Sequence, residues 1–368
     1  MELHRLPLAL LGTLAIGGCS VSAADVDPVG EETANTAVDG PGVTQKAPFD
    51  YPSTRSNVFA LDELGHLRVQ TNSEPWFNYW PPAQYVSLIN SPAAVSWGFN
   101  RIDVFGVTTA GMLQHYGSAD GGVSVYADNW GSMPGTSFDP SASCDVTTWG
   151  VGRLDVFCVG WAGDRQNIIH RWYDAATGGG WEALPALPFN GRFQTTGLAA
   201  ASWGPGRLDV WLIDKNASPK LLRHVGTSSS TGRGGWVWDT WAQGDFATTA
   251  SPDVVPSATA MGGHRYDIIV PERQTYSCTP SPCAYDRLRH WTYREAAPPG
   301  SNLTSELLRD AQPGSKRAAI QSFGSSFRIS VLGEDCRLRT YQGSEDRYPI
   351  LDAAVGCNLQ KSLAGASW

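Results

Sequence analysis

The feature that most constrains this chain is internal repetition. Three segments are nearly superimposable: Ala94 to Phe105 (AVSWGFNRIDVF), Val146 to Phe157 (VTTWGVGRLDVF) and Ala200 to Trp211 (AASWGPGRLDVW). A fourth, Ala258 to Ile269 (ATAMGGHRYDII), is looser. A fifth, Ile320 to Val331 (IQSFGSSFRISV), keeps the apolar frame but replaces the Arg and Asp. The sixth is split between the ends of the chain. Arg55-Ser56-Asn57-Val58-Phe59 supplies its second half and Gly365-Ala366-Ser367-Trp368 its first. Counted at the Arg position (Arg55, Arg101, Arg153, Arg207, Arg265, then Phe327), the steps are 46, 52, 54, 58 and 62 residues. A period of this size, against roughly 40 to 50 residues in known propellers, fits one four-stranded β-propeller blade per repeat.

Local chemistry agrees with that period. Ala-Ser-Trp reads as a short strand, and Gly-x-Gly or Gly-x-Asn as a hairpin turn that needs positive φ. Arg-x-Asp-Val-Phe alternates as the next strand. A third strand follows: Leu113-Gln114-His115, Ile168-Ile169-His170, Leu222-Arg223-His224, Leu288-Arg289-His290, Leu338-Arg339-Thr340 and Leu67-Arg68-Val69. A fourth carries Trp, as in Asn129-Trp130, Gly180-Trp181 and Trp236-Val237-Trp238. Helical periodicity is absent apart from a turn expected around Leu303 to Arg309. The expectation is therefore an all-β, six-bladed β-propeller over residues 52–368, with one blade closed by strands from both termini. Pairing Ala366-Ser367-Trp368 beside Val58-Phe59 removes the unpaired edges that an open first or last sheet would leave. The growing steps place longer loops in the C-terminal half, including insertions at Tyr276 to Asp286 and Arg294 to Ser305.

The first residues read as a targeting signal. Leu6 to Gly18 is apolar apart from Thr13, too short for a membrane span and suited to a signal core over residues 1–23. Ile16-Gly17-Gly18-Cys19 fits a lipoprotein box, with lipid on Cys19, and Val21-Ser22-Ala23 fits an ordinary cleavage site. Both stay open, so the protein is expected outside the cytoplasm, freely secreted or lipid-anchored at the cell surface. Residues 24–51 are an acidic Ala/Thr/Gly/Pro stretch without periodicity, read as a disordered linker. The remaining six cysteines fall into local pairs, Cys144 with Cys158, Cys278 with Cys283 and Cys336 with Cys357, as expected of disulfides in an exported protein. None has CxxC spacing and no His cluster accompanies them, so neither a metal nor another cofactor is expected. A net charge of -8 argues against nucleic acid, whose phosphates need clustered Lys and Arg.

Ser-Trp-Gly-x-x-Arg-Leu-Asp-Val-Phe, followed by Leu-x-His and aromatics (His170-Arg171-Trp172-Tyr173, His290-Trp291), resembles the Photorhabdus-lectin-like β-propellers. The likeness runs from about Pro52 to Trp368 and is clearest in the three central repeats. It implies a propeller that binds fucose and related glycans, although that family closes with seven blades and six are counted here.

Three recurring features compete for the site. Arg101/Asp103, Arg153/Asp155, Arg207/Asp209 and Arg265/Asp267 lie two apart, on one strand face, and read better as ion pairs between stacked blades than as sugar ligands. Trp97, Trp149, Trp203 and Trp368 read as core. The histidines stay open between bridge and ligand: His115, His170, His224 and His290 recur beside Tyr116, Trp172 and Trp291. A neutral imidazole can donate and accept, and an aromatic face suits the C–H side of a pyranose. These seven residues are the candidate ligand-binding set.

Enzyme motifs are missing: there is no HExxH, GxSxG, P-loop or dinucleotide fingerprint. Ser118-Ala119-Asp120-Gly121-Gly122 is like the Asp-box of sialidase propellers but occurs once. The leading expectation is a non-catalytic, multivalent carbohydrate binder with glycans or glycoconjugates as partners. The alternative is an enzyme with a single asymmetric small-molecule site, a hydrolase, isomerase or cyclase.

Overall fold

The computed structural model describes residues 56–367 apart from short segments, chiefly 72–77, 81–85, 185–193, 231–235, 249–253, 277–282, 295–302, 309–317 and 344–350. The signal region, Cys19, the linker, Cys278, Cys357 and Trp368 lie outside the described residues.

Every regular element among the described residues is a strand, and the strands form six antiparallel sheets. Sheet one orders Ala364–Ser367, Ser56–Leu61, Leu67–Thr71 and Asn78–Tyr79. Sheet two is Leu88–Val95, Ile102–Thr108, Leu113–Ser118 and Tyr126–Gly131. In sheet three Asp145–Thr147 and Ser137–Phe138 both pair with Arg153–Ala162, followed by Arg165–Asp174 and Gly178–Ala183. Sheet four is Leu198–Gly204, Arg207–Asp214 and Lys220–Ser230, with Trp236–Trp238 and Ala242–Thr248 both on the third strand. Sheet five is Ser257–Ala260, Arg265–Tyr276, Cys283–Arg294 and Leu303–Leu308. Sheet six is Ala319–Phe323, Ser326–Leu332, Arg337–Gln342 and Leu351–Ala354.

The repeat places its turn where the chain needs a left-handed residue. Between the first two strands Asn100, Gly152, Gly206 and His264 have φ of 58°, 75°, 80° and 60°. Asn and Gly reach that region easily; His does so at a small cost. The split repeat pairs as its sequence requires: Asn57 opposes Ala366, Val58 opposes Gly365 and Phe59 opposes Ala364. One expectation is corrected. The segment beginning at Leu303 is not a turn but an edge strand, in register with Leu288 to Tyr293. Its alternation, with Thr304 and Glu306 on one face, is too short to separate from a helical turn by pattern alone. The insertion at Tyr276 lengthens the second and third strands of sheet five, which stay paired out to Tyr276 opposite Cys283.

Among the described residues the buried apolar side chains form six clusters, each drawing on two sheets. Phe59, Leu61 and Ala366 of sheet one pack with Ile102, Val104 and Tyr116 of sheet two. Phe105 and Val107 then meet Val146, Leu154 and Ile169, and Phe157 and Ile168 meet Leu198, Leu208 and Val225. Trp211 and Ile213 meet Tyr266 and Ile268, while Ile269 and Leu288 meet Ile320 and Ile329. The sixth cluster joins Ala319, Leu332 and Leu338 of sheet six to Val58, Ala60 and Leu363 beside sheet one. Burying one such side chain contributes about 1.5–3 kcal/mol. Polar stitches run between sheets as well, with Ala200 N donating to Asp145 Oδ2 (2.9 Å) and Asn90 Nδ2 to the Ala142 carbonyl (2.7 Å). Cys144 and Cys158 form the expected disulfide, linking the start of sheet three to its second strand.

Candidate functional site

Alternation puts the Arg, the Asp and the residue two further on along one face of each second strand. The third strand then sets a histidine opposite that last residue: Phe105 faces His115, Phe157 faces His170, Trp211 faces His224 and Ile269 faces His290. His Nε2 consequently reaches the aspartate in all four sheets. The distances are 2.8 Å for His115–Asp103, 2.9 Å for His170–Asp155, 2.6 Å for His224–Asp209 and 2.7 Å for His290–Asp267. Where the facing residue is aromatic, the imidazole stacks on it, with centroids 4.6, 4.3 and 4.9 Å apart.

The arginine completes the unit. Arg153 Nε and Nη2 donate to Asp155 at 2.9 and 2.6 Å, and Arg207 donates twice to Asp209 at 2.6 Å. Arg265 Nη2 reaches Asp267 at 2.7 Å. On the fourth strand a longer acid ties the other imidazole nitrogen, Glu182 on His170 Nδ1 at 2.7 Å and Glu306 on His290 Nδ1 at 2.9 Å. Burial is the largest influence on His170 and pushes it down, but the Asp155 and Glu182 hydrogen bonds and charges together raise its pKa above the ordinary value. Asp209 and Asp267 show the reverse. Burial, again largest, raises each, and the histidine and arginine partners hold both below the usual carboxylate range. Neighbouring sheets join in: Tyr266 Oη of sheet five donates to Asp209 of sheet four.

The candidate residues therefore divide by position. His115, His170, His224 and His290 lie inside, within Arg–Asp–His units. Tyr116 and Trp291 are buried in the clusters their sheets share with the preceding sheet. Trp172 is half-buried on the outer part of its sheet, 5.0 Å from the Arg153 guanidinium, which also lies over Trp149. Sheet two fills the same place differently. There Tyr126 of the fourth strand lies over Gly117, and its ring is 5.3 Å from Arg101. In sheet three the third strand carries the ring and the fourth carries Gly180 opposite it. One ring over each arginine is kept, although its donor strand changes.

The residue that follows the histidine position entered the candidate set at Tyr116 and Trp291 but not at Arg171. It is Gln70, Tyr116, Arg171, Val225, Trp291 and Tyr341 in sheets one to six, so it does not repeat and gave no periodic signal. It faces the preceding sheet. Arg171 lies there with its guanidinium 5.3 Å from Trp130 of sheet two and 5.3 Å from Trp181 of its own sheet. Its Nη1 donates to the Trp172 carbonyl at 3.3 Å, and its Nε is buried without a hydrogen-bond partner. Beside it Tyr173, 39% exposed, lies 6.0 Å from Trp130, and Tyr126 is 41% exposed. Asp128, two residues before Trp130 on the same strand face, is turned to His115 Nδ1 at 3.6 Å and is 56% exposed. Trp130 of sheet two thus meets Arg171 and Tyr173 of sheet three in the gap between the two sheets.

Two other features have structural partners. The Leu-Arg pairs of the third strands carry a second set of ion pairs, Arg68–Asp62 at 3.2 Å, Arg223–Asp214 at 3.3 Å and Arg289–Glu272 at 2.8 Å, with Arg339–Asp335 alongside. Asp120 of the Asp-box-like segment closes its own hairpin by accepting from Ser118 Oγ and Ser124 N at 2.8 Å each. The Ser124 backbone bond is the largest of the influences that bring its pKa down to about 2. Among the described residues no group of three or more His, Cys, Asp or Glu is placed to hold a metal. No described helix is long and apolar enough to cross a membrane.

No family model and no curated protein sequence matches the chain. Solved structures do. A lectin of Aleuria aurantia, described as a six-bladed β-propeller with a fucose recognition mode, aligns with a TM-score of 0.57 at 18% identity over 84% of this chain and 93% of that one. The same lectin in complex with α-methyl-L-fucoside gives 0.57 at 17% identity, with the same coverage. An α-L-arabinofuranosidase of Fusarium graminearum, bound to an iminosugar inhibitor, gives 0.51 at 10% identity over 74% of this chain and 82% of its own. At these identities the likeness defines a class of fold, the β-propeller, and the six sheets fit six blades.

Proposed function

We propose that this chain is a non-catalytic carbohydrate-binding protein, a closed six-bladed ring that works outside the cytoplasm and takes glycans in a gap between blades. One observation carries the reading: Arg171, flanked by Trp130 and Trp181, lies between sheets two and three, where the exposed Tyr173 also meets Trp130. Aromatic faces accept the C–H side of a pyranose, a guanidinium donates to its ring or hydroxyl oxygens, and Asp128 accepts from its hydroxyls. The histidines serve as posts in this arrangement. They fix the aspartates that hold the arginines, and His115 faces Asp128 at the gap itself. Trp172 presents the corresponding ring to the gap with sheet four. Fucosylated glycans are the first ligands to try, because the lectin of similar fold is described with a fucoside.

Ring closure is supported by the terminal strand pairing and by the cluster between sheets six and one. Export is supported by the Cys144–Cys158 bridge and the apolar leader, over the domain plan of a signal at 1–23, a linker at 24–51 and the ring at 52–368. Screening of the mature chain on a glycan array, fucosylated structures included, tests the reading. Binding that falls roughly 10-fold or more in Arg171→Ala is expected, as for loss of a charge-assisted hydrogen bond. An array without any binding overturns it.

A second reading draws on the irregular position after the histidines, which gives one gap of six an arginine. An enzyme with a single asymmetric site would use such a difference. Turnover of a glycoside by the pure protein, lost in Arg171→Ala, would favour it over a lectin.

A further inference from the structure

We propose that the gap between sheets two and three selects glycans that carry an oxyanion, a sugar carboxylate or sulfate, through Arg171. The inference rests on the glycan reading above and names the ligand chemistry of that site. Arg68, Arg101, Arg153 and Arg289 each lie against an aromatic ring, and each also holds a carboxylate: Asp62, Asp103, Asp155 and Glu272. Arg171 lies against two rings, and among the described residues no carboxylate is within ion-pair distance of it. Its one hydrogen bond goes to a main-chain carbonyl, and its Nε is buried and unpartnered. Asp128, the acid nearest in sequence to Trp130, is turned to His115 instead.

A guanidinium shielded on both sides and left without a counter-charge is costly unless something offsets it. Burial accordingly pushes the Arg171 pKa down, with no carboxylate to raise it. The scaffold does not require the cation, since Gln70, Tyr116, Val225, Trp291 and Tyr341 occupy the same position in the other sheets. A planar fork beside aromatic faces matches a ligand that is a sugar ring on one side and a planar or tetrahedral oxyanion on the other.

Calorimetry of the full mature chain with matched pairs tests this: a methyl glucuronide against the methyl glucoside, and a sulfated galactoside against the unsulfated one. The two pairs separate a carboxylate source from a sulfate source. The expected result is a preference of roughly 10- to 100-fold for at least one acidic partner, weakening as salt is raised. In Arg171→Gln that preference disappears while the melting temperature stays within a degree or two, because no internal ion pair is broken. Equal affinity for acidic and neutral sugars overturns the inference and leaves the glycan reading standing, as does a preference that survives in Arg171→Gln. No binding of any sugar overturns both.

Discussion

His170 is enclosed on two sides, Nε2 against Asp155 and Nδ1 against Glu182, and has no exposed surface. A buried imidazole between two acids holds its proton, so its pKa is higher folded than its ordinary value of 6.5. The stability this adds is fully present below about pH 6.5 and is lost as pH rises through the raised value. Asp209 and Asp267 act in the other sense. Their lowered pKa values add stability above the ordinary 3.8 that is lost only as pH falls through the lowered values. Melting temperature should therefore be level through the weakly acidic range and decline on the alkaline side. In His170→Gln the alkaline decline should flatten, with an overall loss of about 2–4 kcal/mol from the broken buried network. A wild-type pH profile that rises from pH 6.5 to 8.5 would contradict this assignment. The repeated Arg, Asp and His letters were legible in the sequence. Their ion pairing was legible too, although Arg and Asp pair within one strand and not between stacked blades. The histidine contact was not, because it depends on the strand register that sets His115 opposite Phe105 and so beside Asp103.

At the scale of the strand, sheets two and three solve one packing problem in opposite ways. Gly117 leaves room for Tyr126, and Gly180 leaves room for Trp172. A side chain added at Gly117 meets the Tyr126 ring directly, so Gly117→Ala should cost about 1–3 kcal/mol by overpacking. Pairing Gly117→Trp with Tyr126→Gly should recover most of the cost of Gly117→Trp alone, as a double-mutant cycle in denaturant would measure; strictly additive effects would show that the two positions do not share one space. The disulfide is a second element-scale case. Cys144 and Cys158 are 14 residues apart, and loop closure of that size is worth about 3 kcal/mol, so replacing both by serine should lower stability by about that amount or somewhat less. First, second and third strands could be read from the sequence because their motif recurs. Fourth strands could be read where they carry Trp, as at Tyr126–Gly131, Gly178–Ala183 and Trp236–Trp238, but not at Leu303–Leu308, which lacks it. Arg171 was hidden for the same reason: it departs from the repeat, and periodicity reports only what recurs.

For the whole molecule, the termini carry a disproportionate share of the order. Ala364–Ser367 is the first strand of the sheet that begins with Ser56, and Ala364 and Ala366 are buried against sheet two. Removing residues 364–368 strips one strand, exposes Phe59 and Leu61, and opens the cluster between sheets six and one. A cooperative loss of many degrees in melting temperature is expected, in place of local fraying. The pairing of the two terminal strands was legible from the split repeat alone, whereas the choice of one gap for ligand came only from side chains placed side by side. That choice is tested most directly by a crystal structure of the mature protein soaked with a fucoside and, separately, with a glucuronide. Ligand density between sheets two and three, against Arg171, Trp130 and Tyr173, is the predicted result. Density confined to other gaps, or a gap left empty at ligand concentrations that saturate binding in solution, would contradict it.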